Sequence, residues 1–468
     1  MNKQYWKTAV LGILIVGCII QTTALWLGGM PSHNFLTSYT PIYKGVAPQK
    51  IWLLAPTVTG SSSKSALAYA VSQTTQATMV EHERLIVELQ KVLQMMTEDK
   101  KVTIREGIDW QTLFALPGIM YTYTEPMTLR DIIGDTKNSD TLKTVQNIDQ
   151  IVIQSRSKFA KDVSVQLIST TENQMITLEL GSGFQAFEAL YDYVLQDKKE
   201  TNAVAYQPSA VSNVSKYIAG NSFMPIASKS LPIQYPILET VHPIPEDEEQ
   251  AIRALEVYTN EFFMNPLLKE KAVGKDGSIT FKEEKKAIVV YNPIGTLEYV
   301  NLAPKIKTRT TLLGSYTKAV AFIDNTETLH DAVKGKVYLK EMRREGEAYV
   351  CLFDFNIEGY DIEMSESVKE ALGLESAIQV RIEGDEITTV KMSLLVPIIK
   401  SIGGRVQEAQ LYSEYVNPIN KGLEEIKKAG YESIVFDESK AMYVMDNLKG
   451  DMLLTRGILF EGRWYYPY

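Results

Sequence analysis

Between Thr8 and Leu27 the chain runs through twenty residues without a charge, and nothing else in it restricts the possible structures as severely. Coiled as a helix at about 1.5 Å per residue, such a run crosses the roughly 30 Å hydrocarbon core of a bilayer. Lys3 and Lys7 precede it, and the next basic residue is Lys44. The positive-inside bias therefore places the N-terminus in the cytoplasm and everything after Gly28 outside the cell membrane. Tyr5 and Trp6 at one end and Trp26 at the other stand where an aromatic belt would hold them. A cleaved leader needs a shorter apolar core and a small-x-small site, which Leu25-Trp26-Leu27 after Ala24 does not supply. Ile15-Val16-Gly17-Cys18 reads like a lipobox, but the residues after Cys18 stay apolar where a lipoprotein begins its polar tether. The expectation is an uncleaved anchor at 8–28 behind a cytoplasmic stub at 1–7.

Inside that run Gly17, Gln21, Ala24 and Gly28 recur at i, i+4, i+7 and i+11, one narrow stripe of a continuous helix. Small residues let another helix approach closely, and an amide in hydrocarbon seeks a neighbour's polar group. The stripe is the first candidate partner-binding site.

The remainder is long enough for two or three domains, since the chain has 468 residues. Its 45% hydrophobic and 22% charged content suits folded cores. A formal charge of -9 argues against nucleic acid as a partner. The two cysteines, Cys18 in the run and Cys351 far downstream, allow no disulfide within the external part.

Pattern places an α+β domain at 31–200. Its elements are a strand at Ile51–Leu54, a helix from Thr78 to Met96, strands near Ile148–Ile153, Val163–Leu167 and Gln174–Leu180, and a helix from Phe184 to Leu195. A middle domain at 201–310 opens with a polar, proline-crowded linker beginning near Asp197. Pro245 and the acids Glu246 to Glu249 then start a helix running to about Phe263, and a β-meander with its turn at Asp276-Gly277 follows. The last domain, 311–468, holds a hairpin turning at Glu383–Glu386, a helical stretch from Gln407 to Ala429, and an aromatic end, Trp464-Tyr465-Tyr466-Pro467-Tyr468. Trp464, Tyr465, Tyr466 and Tyr468 form either a contact surface, since Trp and Tyr are enriched in binding hot spots, or a last strand docked on its own domain.

Signals for enzyme chemistry are weak. Gly181-Ser182-Gly183-Phe184-Gln185-Ala186 joins strand to helix as a dinucleotide loop does, but no second strand with a ribose-binding acid follows. Ser61-Ser62-Ser63-Lys64 has the Ser-x-x-Lys spacing of penicillin-recognising enzymes without a Lys-Thr-Gly partner. His33, His82, His242 and His330 are scattered, and Glu246 to Glu249 lacks the spacing of a calcium loop. Asp354, Glu358 and Asp361 could pair as catalytic carboxylates, though no histidine or set of sugar-binding aromatics accompanies them. No catalytic, cofactor or metal site is expected.

Four parts of the chain carry a resemblance. They are the basic N-terminus and anchor with Trp26 at its outer end; Glu261-Phe262-Phe263-Met264-Asn265-Pro266; the Asp276-Gly277 turn with the Tyr291 to Val300 meander; and Phe353-Asp354-Phe355-Asn356-Ile357-Glu358-Gly359-Tyr360 before Ile378 to Val390. In these the chain resembles the YycH family, membrane-anchored regulators of the WalK (YycG) sensor histidine kinase, and its last domain resembles YycI. The resemblance implies a non-enzymatic protein beside the kinase, associated with a YycI-like membrane protein and affecting cell-wall homeostasis signalling.

Overall fold

Strand pairing is built on alternation of apolar residues, and it sorts the chain into two large sheets. A computed structural model describes most of residues 45–465. Outside the description lie 1–44, 49, 56, 60–62, 66–67, 72–75, 96–101, 134–146, 156–162, 181–184, 201–204, 212–218, 226–233, 307–308, 327–332, 358–359, 401–406, 409–423, 425, 429–435, 453, 462 and 466–468. Met1–Lys44 and Gly45–Tyr468 separate as two units. The apolar run at 8–28 and its stripe, Gly17, Gln21, Ala24 and Gly28, belong to the first and lie outside the described residues. Among the described residues no helix is long and apolar enough to cross a membrane.

The first sheet contains β1 (Lys50–Leu54), β2 (Ala68–Val71), β3 (Val102–Glu106), β4 (Gly118–Met127), β5 (Ile148–Ser155), β6 (Val163–Ser169), β7 (Gln174–Leu180), β8 (Ala205–Pro208) and β9 (Phe223–Pro225). They lie antiparallel in the order β9-β8-β2-β1-β4-β5-β6-β7-β3. In β6 every residue is buried, so alternation disappears where both faces are covered. Helix α1 (Gln76–Met95) contributes Leu85, Leu89, Val92 and Leu93, all fully buried, and the Tyr121 hydroxyl of β4 donates to the Leu85 carbonyl at 2.9 Å. A second cluster is built from Leu54, Phe114, Met120, Val152, Ile168 and Phe223, with Trp52 stacked on Phe223. Gly118 is obligatory at the sheet's centre: a Cβ there would stand 2.5 Å from the Ile153 carbonyl oxygen.

The second sheet follows the linker. Its strands are β11 (Glu270–Val273), β12 (Ile279–Glu283), β13 (Ala287–Asn292), β14 (Thr296–Asn301), β15 (Val337–Glu345), β16 (Ala348–Ile357), β17 (Tyr360–Met364), β18 (Ile378–Glu383), β19 (Glu386–Ser393), β21 (Glu438–Met445), β23 (Leu454–Phe460) and β24 (Arg463–Tyr465). Their order is β11-β12-β13-β14-β19-β18-β16-β17-β21-β23-β24, and β15 pairs with the free edge of β16. Strands β17 and β21 make the one parallel pairing among the described strands. A small third sheet joins β20 (Val396–Ile399), β10 (Leu238–Val241) and β22 (Gly450–Met452). Helix α2 (Leu312–Asn325) packs on this sheet through Ala319, and α3 (Glu366–Leu372) is capped by the Ser365 hydroxyl and ended by left-handed Gly373. The architecture is mixed helix and strand with antiparallel sheets.

Some expected elements differ. The helix beginning at Glu248 stops at Tyr258 and not at Phe263: Thr259 turns its hydroxyl back to the Leu255 carbonyl, and Asn260–Phe262 tightens into a 3-10 turn. The supposed linker after Asp197 is helical to Glu200, and β8 then adds to the edge of the first sheet beside β2. Gln407–Glu408, expected as helix, is a short strand paired with Gln234–Tyr235, so a tertiary partner outweighs local propensity there. The charged strand β15 was not legible as one.

Candidate functional site

The most unusual chemistry among the described residues is a mostly buried row of lysines and carboxylates beside the place where the two sheets meet. It begins with a β-bulge. In the β15–β16 ladder Leu339 pairs with Phe353 and Glu341 with Leu352, which leaves Lys340 as the extra residue. The Lys340 ammonium reaches Asp354 Oδ2 at 2.8 Å and Glu363 Oε2 at 2.6 Å. Glu363 belongs to β17, and its other oxygen meets Lys369 of α3 at 2.7 Å. Asp354 Oδ1 accepts from the Ser376 hydroxyl at 2.7 Å and the Ala377 N–H at 2.8 Å. Both carboxylates are 2% exposed.

The parallel register between β17 and β21 continues the row. Asp361 lies opposite Met442, which brings Lys440 of β21 onto its carboxylate, while Asn356 donates to the other oxygen at 2.8 Å. Two residues earlier on β21, Glu438 takes Lys50 of β1 at 2.6 Å, so the row ends on the first sheet. The Ala219 N–H donates to the Phe436 carbonyl at 2.7 Å, and the Ser222 hydroxyl donates to the Asp437 carbonyl, binding the same two sheets.

Charge balances along this row: Lys50, Lys340, Lys369 and Lys440 face Asp354, Asp361, Glu363 and Glu438. Burial alone would lower the Lys340 ammonium, but Asp354 and Glu363 outweigh it and hold it above the ordinary lysine range. Burial likewise opposes ionisation of Asp361, yet Lys440 and Lys50 bring it down to about 2. Burial, then the surrounding carboxylates, raises the Tyr338 hydroxyl well above its usual value. Such groups stay in one protonation state near neutrality and exchange no proton with a substrate. The row's chemistry is that of a bracket that fixes two sheets in one arrangement.

Asp354 and Asp361, candidate catalytic carboxylates in the sequence, are thus each committed to a lysine; Glu358 lies outside the described residues. Trp464 and Tyr465 lie half-buried on β24, with Trp464 opposite Leu459 and the Lys440 ammonium 4.6 Å from its ring centroid. Gly457 makes room for the indole, since a Cβ there would stand 2.7 Å from Trp464 Cε3. Tyr466 and Tyr468 lie outside the described residues. Ser63–Ser65 is a short strand; Ser61, Ser62, His33, His82's side chain and Gly181–Phe184 are not described. His242 packs against Tyr291, and burial lowers its imidazole. No cluster of three His, Cys, Asp or Glu among the described residues is arranged to hold a metal. Sequence patterns missed Lys50, Lys340 and Lys440 because isolated lysines on strands read as solvent-facing; the only signal was their alternation with apolar neighbours that prove buried.

A second charged group sits where β15 approaches β4. Arg343 grips Glu375 through two nitrogens at 2.7 and 2.9 Å, and Glu345 joins Arg343 at 3.0 Å and Arg381 at 2.7 Å. Glu125 of β4 lies near Glu341 and Arg343. Burial and the Glu341 charge lift its carboxyl to about 7, with Arg343 opposing.

No protein-family model matches the chain, and no curated protein does. Among solved structures, that of YycH from Bacillus subtilis is similar, with a TM-score of 0.51 and 10% sequence identity. The similarity covers 90% of this chain and 96% of that one, so the likeness is one of fold across nearly the whole molecule.

Proposed function

We propose, from the YycH-like fold, that this chain is a membrane-anchored accessory regulator of a WalK/YycG-type sensor histidine kinase, working without chemistry of its own. The fold likeness over 90% of the chain carries the reading. The lysine-paired carboxylates support it, because they leave the described residues rigid where an enzyme would keep a titratable group free. On this reading residues 8–28 anchor the chain with its N-terminus cytoplasmic, its bulk lies outside, and a YycI-like membrane protein is its companion in cell-wall homeostasis signalling.

Regulation of this kind needs only a difference in affinity for two kinase states. A preference of about 1–3 kcal/mol changes the population of the signalling state by 5- to 150-fold. Two surfaces are proposed to supply it: the stripe Gly17, Gln21, Ala24 and Gly28 within the membrane, and the end of the chain at Trp464, Tyr465, Tyr466 and Tyr468. The test is co-purification from membranes of the full chain, a Gln21→Leu variant and a version lacking residues 1–30. The full chain should retain the kinase and its companion, and Gln21→Leu should weaken that retention. Absence of both partners from the full-length and truncated preparations would refute the proposal.

A further inference from the structure

One corner of the second sheet exposes apolar side chains that no fold-internal packing accounts for. Met264 is 82% and Leu267 93% exposed, on the turn between the helix ending at Tyr258 and β11. The Met264 N–H donates to the buried Glu283 carboxylate at 3.0 Å, which holds this turn against the β12–β13 hairpin turn. Across that turn the Leu302 N–H donates to the Lys286 carbonyl at 2.7 Å, so the loop after β14 belongs to the same corner. Residues 302–306 are all exposed, with Leu302 and Ile306 presenting apolar surface.

Cations surround these side chains in a chain whose net charge is -9. Lys285, Lys305 and Arg309 are exposed; Lys286 is held by Glu283, and Lys285 has only the neighbouring Glu284, at 3.8 Å. The acidic hairpin tip at Glu383–Glu386 borders the corner and limits it on one side: the Gly384 N–H donates to Thr310 at 2.6 Å. The loop then enters α2, where the Tyr316 hydroxyl bonds the backbone of Ala47 one turn in. The described chain begins at Gly45, two residues earlier, and covalent continuity ties the residues before it to this region.

We infer that this corner contacts an anionic lipid surface, its cations meeting headgroups and Met264 and Leu267 entering the boundary between headgroup and acyl chain. Basic residues draw such a loop to anionic lipid, and apolar tips find there the burial they lack in the fold. An acidic polymer or peptide would use the cations but leave two side chains of this exposure in water. The inference rests on the anchor expected at 8–28 and not on the kinase.

Hydrogen exchange of the full chain in nanodiscs tests it. In phosphatidylglycerol-rich discs the amides within 264–268 and 302–306 should exchange roughly tenfold more slowly than in phosphatidylcholine discs, while β13 is unchanged. The slowing should vanish in Lys285→Glu/Lys305→Glu/Arg309→Glu and shrink in Met264→Ser/Leu267→Ser, all at exposed positions. Equal rates in the two lipids, or full slowing in the charge-reversed variant, would overturn the inference. Equal slowing by a soluble polyanion without lipid would overturn it in favour of an acidic partner. If the full chain fails to enter discs, the anchor reading falls, and the same comparison with added vesicles decides the corner on its own. Kinase retention has no bearing on any of these outcomes.

Discussion

Lys340→Met removes the one cation that Asp354 and Glu363 share. Both carboxylates are 2% exposed, so neither can turn to water. Glu363 keeps Lys369, and Asp354 keeps the Ser376 hydroxyl and the Ala377 N–H, which softens the loss. Breaking a buried pair from one side costs about 3–5 kcal/mol, and the surviving partners put this case near ~3 kcal/mol. For the unit Gly45–Tyr468, at about 2.1 cal/mol/K per residue, the unfolding entropy is roughly 0.9 kcal/mol/K, so Tm should fall by ~3 °C. The sign with pH is specific. Protonating the stranded carboxylate removes the buried charge, so the destabilisation should shrink as the pH falls. Denaturant unfolding across a pH series measures this, with Lys391→Met as the control, because Lys391 meets Glu298 at 3.4 Å with both side chains about two-fifths exposed. A loss no larger than the control's, or one independent of pH, would refute the reasoning that the row is a buried bracket.

Two further variants probe the same architecture. With its folded carboxyl lifted from an ordinary 4.5 to about 7, Glu125 makes stability fall as the pH rises through that window; Glu125→Gln should flatten this limb and exceed the parent in stability above pH 7. Thermal melts at several pH values check it, and parallel profiles for the two proteins would count against the burial of Glu125. Gly118→Ala drives a methyl to 2.5 Å from a backbone oxygen in the middle of the first sheet, where the strand cannot move aside. A loss of about 1–3 kcal/mol is expected in denaturant unfolding.

The elements readable in advance were those whose pattern their tertiary surroundings leave intact. Asp247 caps its helix as the acids after Pro245 predict. Strand β7 appears with the bounds expected of it, and the Glu383–Glu386 hairpin turns where its Gly-Asp pair stands. Strand β15 was hidden because five of its nine residues are charged, Lys340, Glu341, Arg343, Arg344 and Glu345, and charge reads as solvent. Its lysine is buried only because β17 and α3 supply carboxylates from distant sequence. Likewise the first sheet recruits β8 and β9 from a stretch that reads as linker, since edge strands need little apolar content of their own.

The sequence by itself determined local matters: the charge-free run at 8–28 with its basic flank, the mixed helix and strand composition, and the absence of a spaced catalytic motif. These depend on neighbours along the chain. Tertiary structure alone decided that Asp354 and Asp361 are ion-paired, that Lys50 ties one sheet to the other, and that Met264 and Leu267 are left uncovered. An ammonium 2.6 Å from a carboxylate hundreds of residues away has no local signature, because the interaction depends on spatial separation and burial, and neither is a property of sequence distance.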